Sequence, residues 1–355
     1  MSQTLRQALP QIYTPLLPAF FDTPAPEESK ATCGDCAMCP PKGAPSGEGV
    51  VYFRPDAKCC TYFPRLPNYL VGAVFRDPEV AEGQRRLRAR IAGRIGVTPR
   101  WVAPSHKYSL LHEASREAGF GRSTALLCPY FERDGGLCTI WKHREADCST
   151  FFCKYTAGAD GRFFWRNVDA YLRRVEAKLA AHAASTLAPA SIEPPGPGAR
   201  ITLEELEDRT PSAYGAYWGA WEGREDAFYV ACHDLVAALS REDFDRLTAA
   251  PEELGALEAA HRSLASPALP THLVLNTDEP PRPVDGGVLV ATYSRYEPIK
   301  LSPDLLDALR ELGPTETVAE VRARLLREQG ADLPEDMLAA LYQLRVLVRP
   351  EGPIG

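Results

Sequence analysis

Cys33, Cys36 and Cys39 stand at two-residue intervals in the stretch TCGDCAMCP, and nine of the chain's ten cysteines lie between positions 33 and 153. Three thiols so close together can form at most one disulfide, so the run needs another explanation. Consecutive sulfurs at this spacing reach one centre through a tight turn, and thiolate is a soft ligand that favours zinc, copper(I) or iron–sulfur clusters. Cys59 and Cys60 follow as an adjacent pair, then Cys128, Cys138, Cys148 and Cys153 in the stretch CPYFERDGGLCTIWKHREADCSTFFC. The surrounding Gly, Asp and Pro residues make poor places to bury structural thiols. The metal-ligand set expected from sequence is therefore Cys33, Cys36, Cys39, Cys59, Cys60, Cys128, Cys138, Cys148 and Cys153.

The compartment bears on this reading. Prolines at 10, 15 and 18 interrupt the apolar N-terminal stretch and no small-residue cleavage site follows, so no secretory signal is expected. No apolar run reaches the roughly 18 to 20 residues that span a bilayer. A cytoplasmic chain is expected, and there thiols are kept reduced and available to metal. Tetrahedral zinc sites usually draw two separated pairs of ligands, whereas C-x2-C-x2-C is the run that holds corners of an iron–sulfur cubane. Spacing thus leans toward iron, with up to two [4Fe–4S] clusters, and zinc is the alternative. Nine ligands fit two four-cysteine centres of either kind with one left over.

The same residues carry a resemblance. The segment from Cys128 to Cys153 resembles the second half of the YkgJ-type cysteine-cluster family, with its Cys-Pro-aromatic start, Cys-Thr-Ile-aromatic middle and a further cysteine next to an aromatic. Cys33, Cys36 and Cys39 match the first three cysteines of that family's C-x2-C-x2-C-C cluster, while the adjacent cysteine is displaced to Cys59–Cys60 across 19 residues. The likeness covers residues 30 to 155. It implies zinc or iron chelation, and relatives among flagellin lysine methylases imply modification of a protein.

Beyond the cysteines the pattern turns helical. Phe164, Val168, Tyr171, Leu172, Val175 and Leu179 recur every three or four residues, one face of a helix. LAPASIEPPGPGAR then breaks it with Pro and Gly, the mark of a linker. After the linker TLEE reads as a capping box. Tyr214, Trp218 and Trp221, with Tyr217 beside them, read as core aromatics or a stacking platform. Cys232 sits on an apolar helical pattern as a small buried hydrophobe, with His233 turned outward. The last 85 residues offer strands THLVLN and GGVLVATYSRY with a turn at Gly286–Gly287. They continue with helices begun by Ser302–Pro303 and Thr317/Glu320 and ended at Gly313 and Gly330, and with a closing helix that runs into a strand. The fold expected is α+β and mostly helical: a loop-rich, cysteine-ligated metal domain over 1–187, a linker over 188–200, a helical segment over 201–270 and a winged-helix-like module over 271–355. That module resembles the PqqD-type peptide-recognition fold, which implies capture of a peptide or protein partner.

Charge narrows the partners. A net charge of -7 argues against nucleic acid, which calls for a basic face. The exception is Arg85, Arg86, Arg88, Arg90, Arg94 and Arg100 around a helix with Leu87, Ile91 and Ile95 inward, either a solvated face or a site for an acidic partner. His106, His112 and His143 flank the cysteines as further ligands or proton carriers. No nucleophile elbow, phosphate loop, dinucleotide fingerprint or H-E-x-x-H occurs, so an enzyme here would work through its metal. Two functions remain open: a metal-dependent, iron–sulfur enzyme that modifies a peptide or protein, and a non-catalytic zinc-binding scaffold or a redox or metal sensor.

Overall fold

The computed structural model of the chain describes residues 3–28, 34, 36–40, 52–189, 201–265 and 269–350. Cys33 and residues 190–200 of the expected linker lie outside them. The fold is mostly helical with small antiparallel sheets. It divides into two compact units. The first takes residues 1–26, 53–151 and 166–257, and the second takes 27–52, 152–165 and 258–355.

In the first unit, helix α1 (Asn68–Arg76) is apolar nearly all round and buried along its length from Asn68 to Val74, the pattern of a helix enclosed by others. Asn68 is satisfied inside the protein, its side-chain amide donating to the carbonyls of Pro99 (2.9 Å) and Ala180 (3.0 Å). Helix α2 (Ala81–Gly93) buries Gly83, Leu87 and Ile91, and closes with Arg94 in the left-handed conformation. Ile95, expected to face inward from this helix, lies beyond its end and is half-buried. Helix α3 (His106–Gly119) begins at a Ser105 cap. The hairpin β1 (Phe131–Glu132) and β2 (Leu137–Cys138) is followed by the short helix α4 (Ala146–Thr150) and the long helix α5 (Gly158–Leu187), of which the residues from Arg166 on belong to this unit. Phe164, Val168, Tyr171, Leu172, Val175 and Leu179 of α5 are all buried, as their spacing predicts.

Helix α6 (Glu225–Ala237) turns Phe228, Tyr229, Cys232 and Val236 into the core and packs along α1. The two approach closely at Gly72, where a Cβ would stand 2.0 Å from the Tyr229 carbonyl oxygen and 2.6 Å from the His233 Cβ. Only glycine permits that approach. It also explains why His233 is half-buried instead of turned outward, with Nδ1 3.1 Å from Asp234 Oδ1. Cys232 is fully buried, and burial pushes its thiol up. Trp218 sits edge-on to Phe228 and Tyr229, so the aromatic segment forms core. The expected capping box at Thr202 and Glu205 is present.

The second unit contains β3 (Val274–Leu275), β4 (Arg282–Val284), β5 (Gly287–Val290), β6 (Ile299–Leu301), α7 (Pro303–Arg310), α8 (Val318–Gln329), α9 (Glu335–Gln343) and β7 (Leu347–Val348). First and last strands pair, Val274 opposite Val348 and Leu275 opposite Leu347. β4, β5 and β6 form a second sheet in that order. The β4–β5 turn centres on Asp285–Gly286, one residue before the expected position, with Gly286 at φ +69° as a tight hairpin turn requires. β4 carries Pro283, which conceals it from sequence reading and suits it to an edge. Ser302 caps α7, the Thr317/Glu320 box starts α8, and Gly330 ends α8 in the left-handed region. Helix α7 stops at Arg310, before Gly313 is reached.

Candidate functional site

Five of the nine cysteines expected to bind metal belong to the first unit: Cys59, Cys60, Cys128, Cys138 and Cys148. Cys59 and Cys60 lie in the single turn Lys58–Thr61. Lys58 enters it with φ +51° and donates from Nζ to the Gly136 carbonyl at 2.7 Å, tying the turn to the β1–β2 loop. Cys128 donates its backbone N–H to the Cys60 carbonyl at 2.7 Å, and Phe131, one pair from the loop, stands opposite Cys138. The Cys128 turn is held from the helix side as well. Arg86 Nη1 donates to the carbonyls of Pro129 (2.9 Å) and Phe131 (2.8 Å), while Glu82 grips its Nε. The arginines of α2 thus have partners inside the protein: Arg85 with Glu82, Arg88 with Asp226, Arg94 with Glu222, and Arg90 with the carbonyls of Ile95 and Ala103.

Cys148 comes from α4, whose cap is Glu145. The Glu145 carboxylate accepts the backbone N–H of Asp147 at 2.5 Å and of Cys148 at 3.0 Å. Glu145 is almost completely buried at 3% exposure. Burial, reinforced by Asp147, raises its carboxyl to about 8. Glu176 on α5 is 5% exposed, accepts the Ala146 N–H at 3.2 Å and the Tyr13 hydroxyl at 3.0 Å, and is pushed well up by burial and then by Glu145. Tyr62 donates to Asp147 at 2.8 Å.

The thiols act on one another. Burial drives the Cys128 thiol up, and the charges of Cys138, Glu145 and Cys59 add to the shift. Cys148 is pushed well up by burial, then by Glu145, Cys128 and Cys138. Four separate chain segments therefore bring Cys59, Cys128, Cys138, Cys148 and Glu145 into one neighbourhood. Without a metal the Cys128 and Cys148 thiols keep their protons at neutral pH, and an incoming ion would displace them. Among the described residues no three His, Cys, Asp or Glu side chains already surround a common point suited to a metal ion.

The remaining four of these nine belong to the second unit. The Cys39 N–H donates to the Cys36 carbonyl at 2.9 Å, the tight turn that the two-residue spacing predicts. Cys153 is buried, with its carbonyl accepting the Ser294 hydroxyl at 3.2 Å. Cys33 is outside the described residues. Of the histidines, His143 Nε2 is 2.9 Å from Asp77 Oδ2, His106 Nε2 is 3.4 Å from Glu205, and the His112 ring lies against Tyr62 and Tyr108. Burial lowers His112, so its imidazole is neutral at neutral pH.

Sequence reading missed the acids, Glu145, Asp147, Asp169 and Glu176. A signal existed for Glu176, which falls on the apolar stripe of α5 four residues after Leu172 and three before Leu179. Glu145 had a fainter one, a carboxylate three residues before Cys148. No family model, no curated protein and no solved structure matches this chain.

Proposed function

We propose that the chain is a cysteine-ligated metalloprotein whose first unit holds a metal through Cys59, Cys128, Cys138 and Cys148, with Cys60 adjacent. The observation that carries this reading is the convergence of their chain segments: the Cys128 N–H donates to the Cys60 carbonyl at 2.7 Å, and Cys138 stands opposite Phe131, three residues on from Cys128. The C-x2-C-x2-C spacing of Cys33, Cys36 and Cys39 leans toward iron–sulfur chemistry over zinc, and the likeness of residues 30 to 155 to the YkgJ-type cluster implies zinc or iron. Cys36 and Cys39, with Cys33 and Cys153, are the candidate ligands of a second centre.

An iron–sulfur cluster so held would supply electron transfer or Lewis acidity. The chain's own part is to position the sulfurs through the Cys60–Cys128 hydrogen bond and the Arg86 clamp, and to limit water with buried Tyr130, Phe131 and Ile140. The enzymatic form of this reading, modification of a peptide or protein, draws support from the edge of the thiol group. Cys138 is half-buried, and Leu137 and Trp141 beside it are exposed, an apolar approach for a partner. In this reading the segment from 271 is a winged-helix-like module that captures the partner through a strand edge. Anaerobic reconstitution with iron and sulfide, compared with zinc, tests the proposal. A brown protein with bound iron and sulfide supports it. Tight zinc in a colourless chain that refuses the cluster moves the reading to a scaffold, and binding of neither contradicts it.

A further inference from the structure

Cys36 and Cys39 close a single turn of the second unit. The Cys39 N–H donates to the Cys36 carbonyl at 2.9 Å, across Ala37 and Met38. A bond from the fourth residue of a turn back to the first keeps the two Cα atoms within about 7 Å. A disulfide spans about 4.4–6.8 Å between Cα atoms, so the backbone already brings the pair to bridging range. The turn is held in place. Met38 is buried at 2% exposure and anchors it from inside, while Pro40 keeps Cys39 out of helical backbone, so the turn ends there.

Access to solution sets this pair apart. Cys36 and Cys39 are both half-buried, whereas Cys128, Cys153 and Cys232 are buried. Burial pushes the thiols of Cys128, Cys148 and Cys232 up, which holds their protons and works against reaction. The adjacent Cys59 and Cys60 have Cα atoms about 3.8 Å apart, short of what a relaxed bridge spans.

We infer that Cys36 and Cys39 form a redox-active dithiol, a site of thiol–disulfide exchange with low-molecular-weight disulfides. One thiolate attacks a sulfur of the incoming disulfide, breaks its S–S bond, and forms a mixed disulfide with release of one thiol. The second thiolate then attacks the cysteine sulfur of the mixed disulfide and displaces the other thiol. The two cysteines are oxidised to a disulfide, the incoming disulfide is reduced to two thiols, and the cysteine protons pass to the leaving thiolates. Excess small thiol runs the sequence backward. A closed pair cannot bind metal, so exchange alternates with a place among the ligands of a second centre. The inference concerns the metal-free chain and stands apart from the metal reading of the first unit.

The test uses the full chain, stripped of metal with a chelator, reduced, and held anaerobically in glutathione buffer rich in glutathione disulfide. Cyanogen bromide cleaves after Met38, between the two cysteines, and digestion before Asp35 separates both from Cys33. The fragments carrying Cys36 and Cys39 should stay joined until a reductant is added, and the bridge should reopen in excess glutathione. Cys33→Ser should close as the parent chain does. Cys36→Ser or Cys39→Ser should abolish the bridge and leave glutathione on the remaining cysteine, because the thiol that would displace it is gone. Fragments that separate without reductant, a bridge that runs from Cys33, or a bridge that glutathione does not reopen overturns the inference, and none of these results touches the metal reading of the first unit.

Discussion

The two units bury different things. The second buries a largely hydrocarbon core, Leu273, Val290, Leu309, Val321, Leu325, Leu338 and Leu347 among others, with Cys153 and Ser294 buried but no carboxylate among its described buried side chains. The first unit encloses Glu145 and Glu176 together with the thiols of Cys128 and Cys148. Apolar burial stabilises without regard to partners, whereas each buried acid or thiol carries a desolvation cost that something must offset. The first unit carries that cost in its buried acids, and the second, among its described residues, carries it only in Cys153 and Ser294.

The largest separation between the units should come from Cys128→Ser combined with Cys148→Ser. The first unit's metal should be lost completely, while the amides of α7, α8 and α9 keep their hydrogen-exchange protection. Equal loss of protection in both units would mean that the thiols do not serve the first unit alone. Next in size is Gly72→Ala. With the Tyr229 carbonyl 2.0 Å from the new methyl, α1 and α6 must part, at a cost of about 3 kcal/mol or more. Denaturant unfolding followed by Trp218 fluorescence should record it, and an unchanged midpoint would show that the helices do not meet so closely.

A smaller effect should appear with pH. Burial, then the charge of Asp147, raises Asp169 on α5 to about 7 against the pull of Arg173 and Thr150. The unfolded chain releases this proton near pH 4. Between those values the folded state binds more protons, so the stability of the metal-free first unit should fall as pH rises from about 4 to about 7, then level off. Asp169→Asn should flatten part of that slope, and an identical slope in the variant would rule Asp169 out as its source. The smallest effect belongs to the second unit. Thr317→Ala removes the cap of α8 and should cost about 1 kcal/mol, seen as a lower melting temperature with metal content unaltered.

The same contrast explains what could be read from the sequence. In the second unit the instructions are local. Ser302–Pro303, Thr317 with Glu320, and Gly330 each fix a helix end through neighbours within five residues, and the structure places caps there. β4 escaped notice because three residues containing a proline resemble a loop. In the first unit the deciding contacts are distant in sequence. Cys60 meets Cys128, Lys58 meets Gly136, Arg86 meets the Pro129 carbonyl and Tyr13 meets Glu176. Spacing could nominate the cysteines but not say which of them would gather. The arginines of α2 looked like a basic face because their acidic partners, Asp226 and Glu222, lie far along the chain.

The measurement that bears most directly on the central claim is metal uptake by the first unit alone. The full chain with Cys33, Cys36 and Cys39 replaced by serine is reconstituted anaerobically with iron and sulfide, or with zinc, and metal per chain is determined together with the thiols left open to alkylation. Stoichiometric metal, with Cys59, Cys128, Cys138 and Cys148 protected from alkylation, is the result expected here. Metal-free protein in which those four cysteines react as readily as in the untreated chain would contradict it.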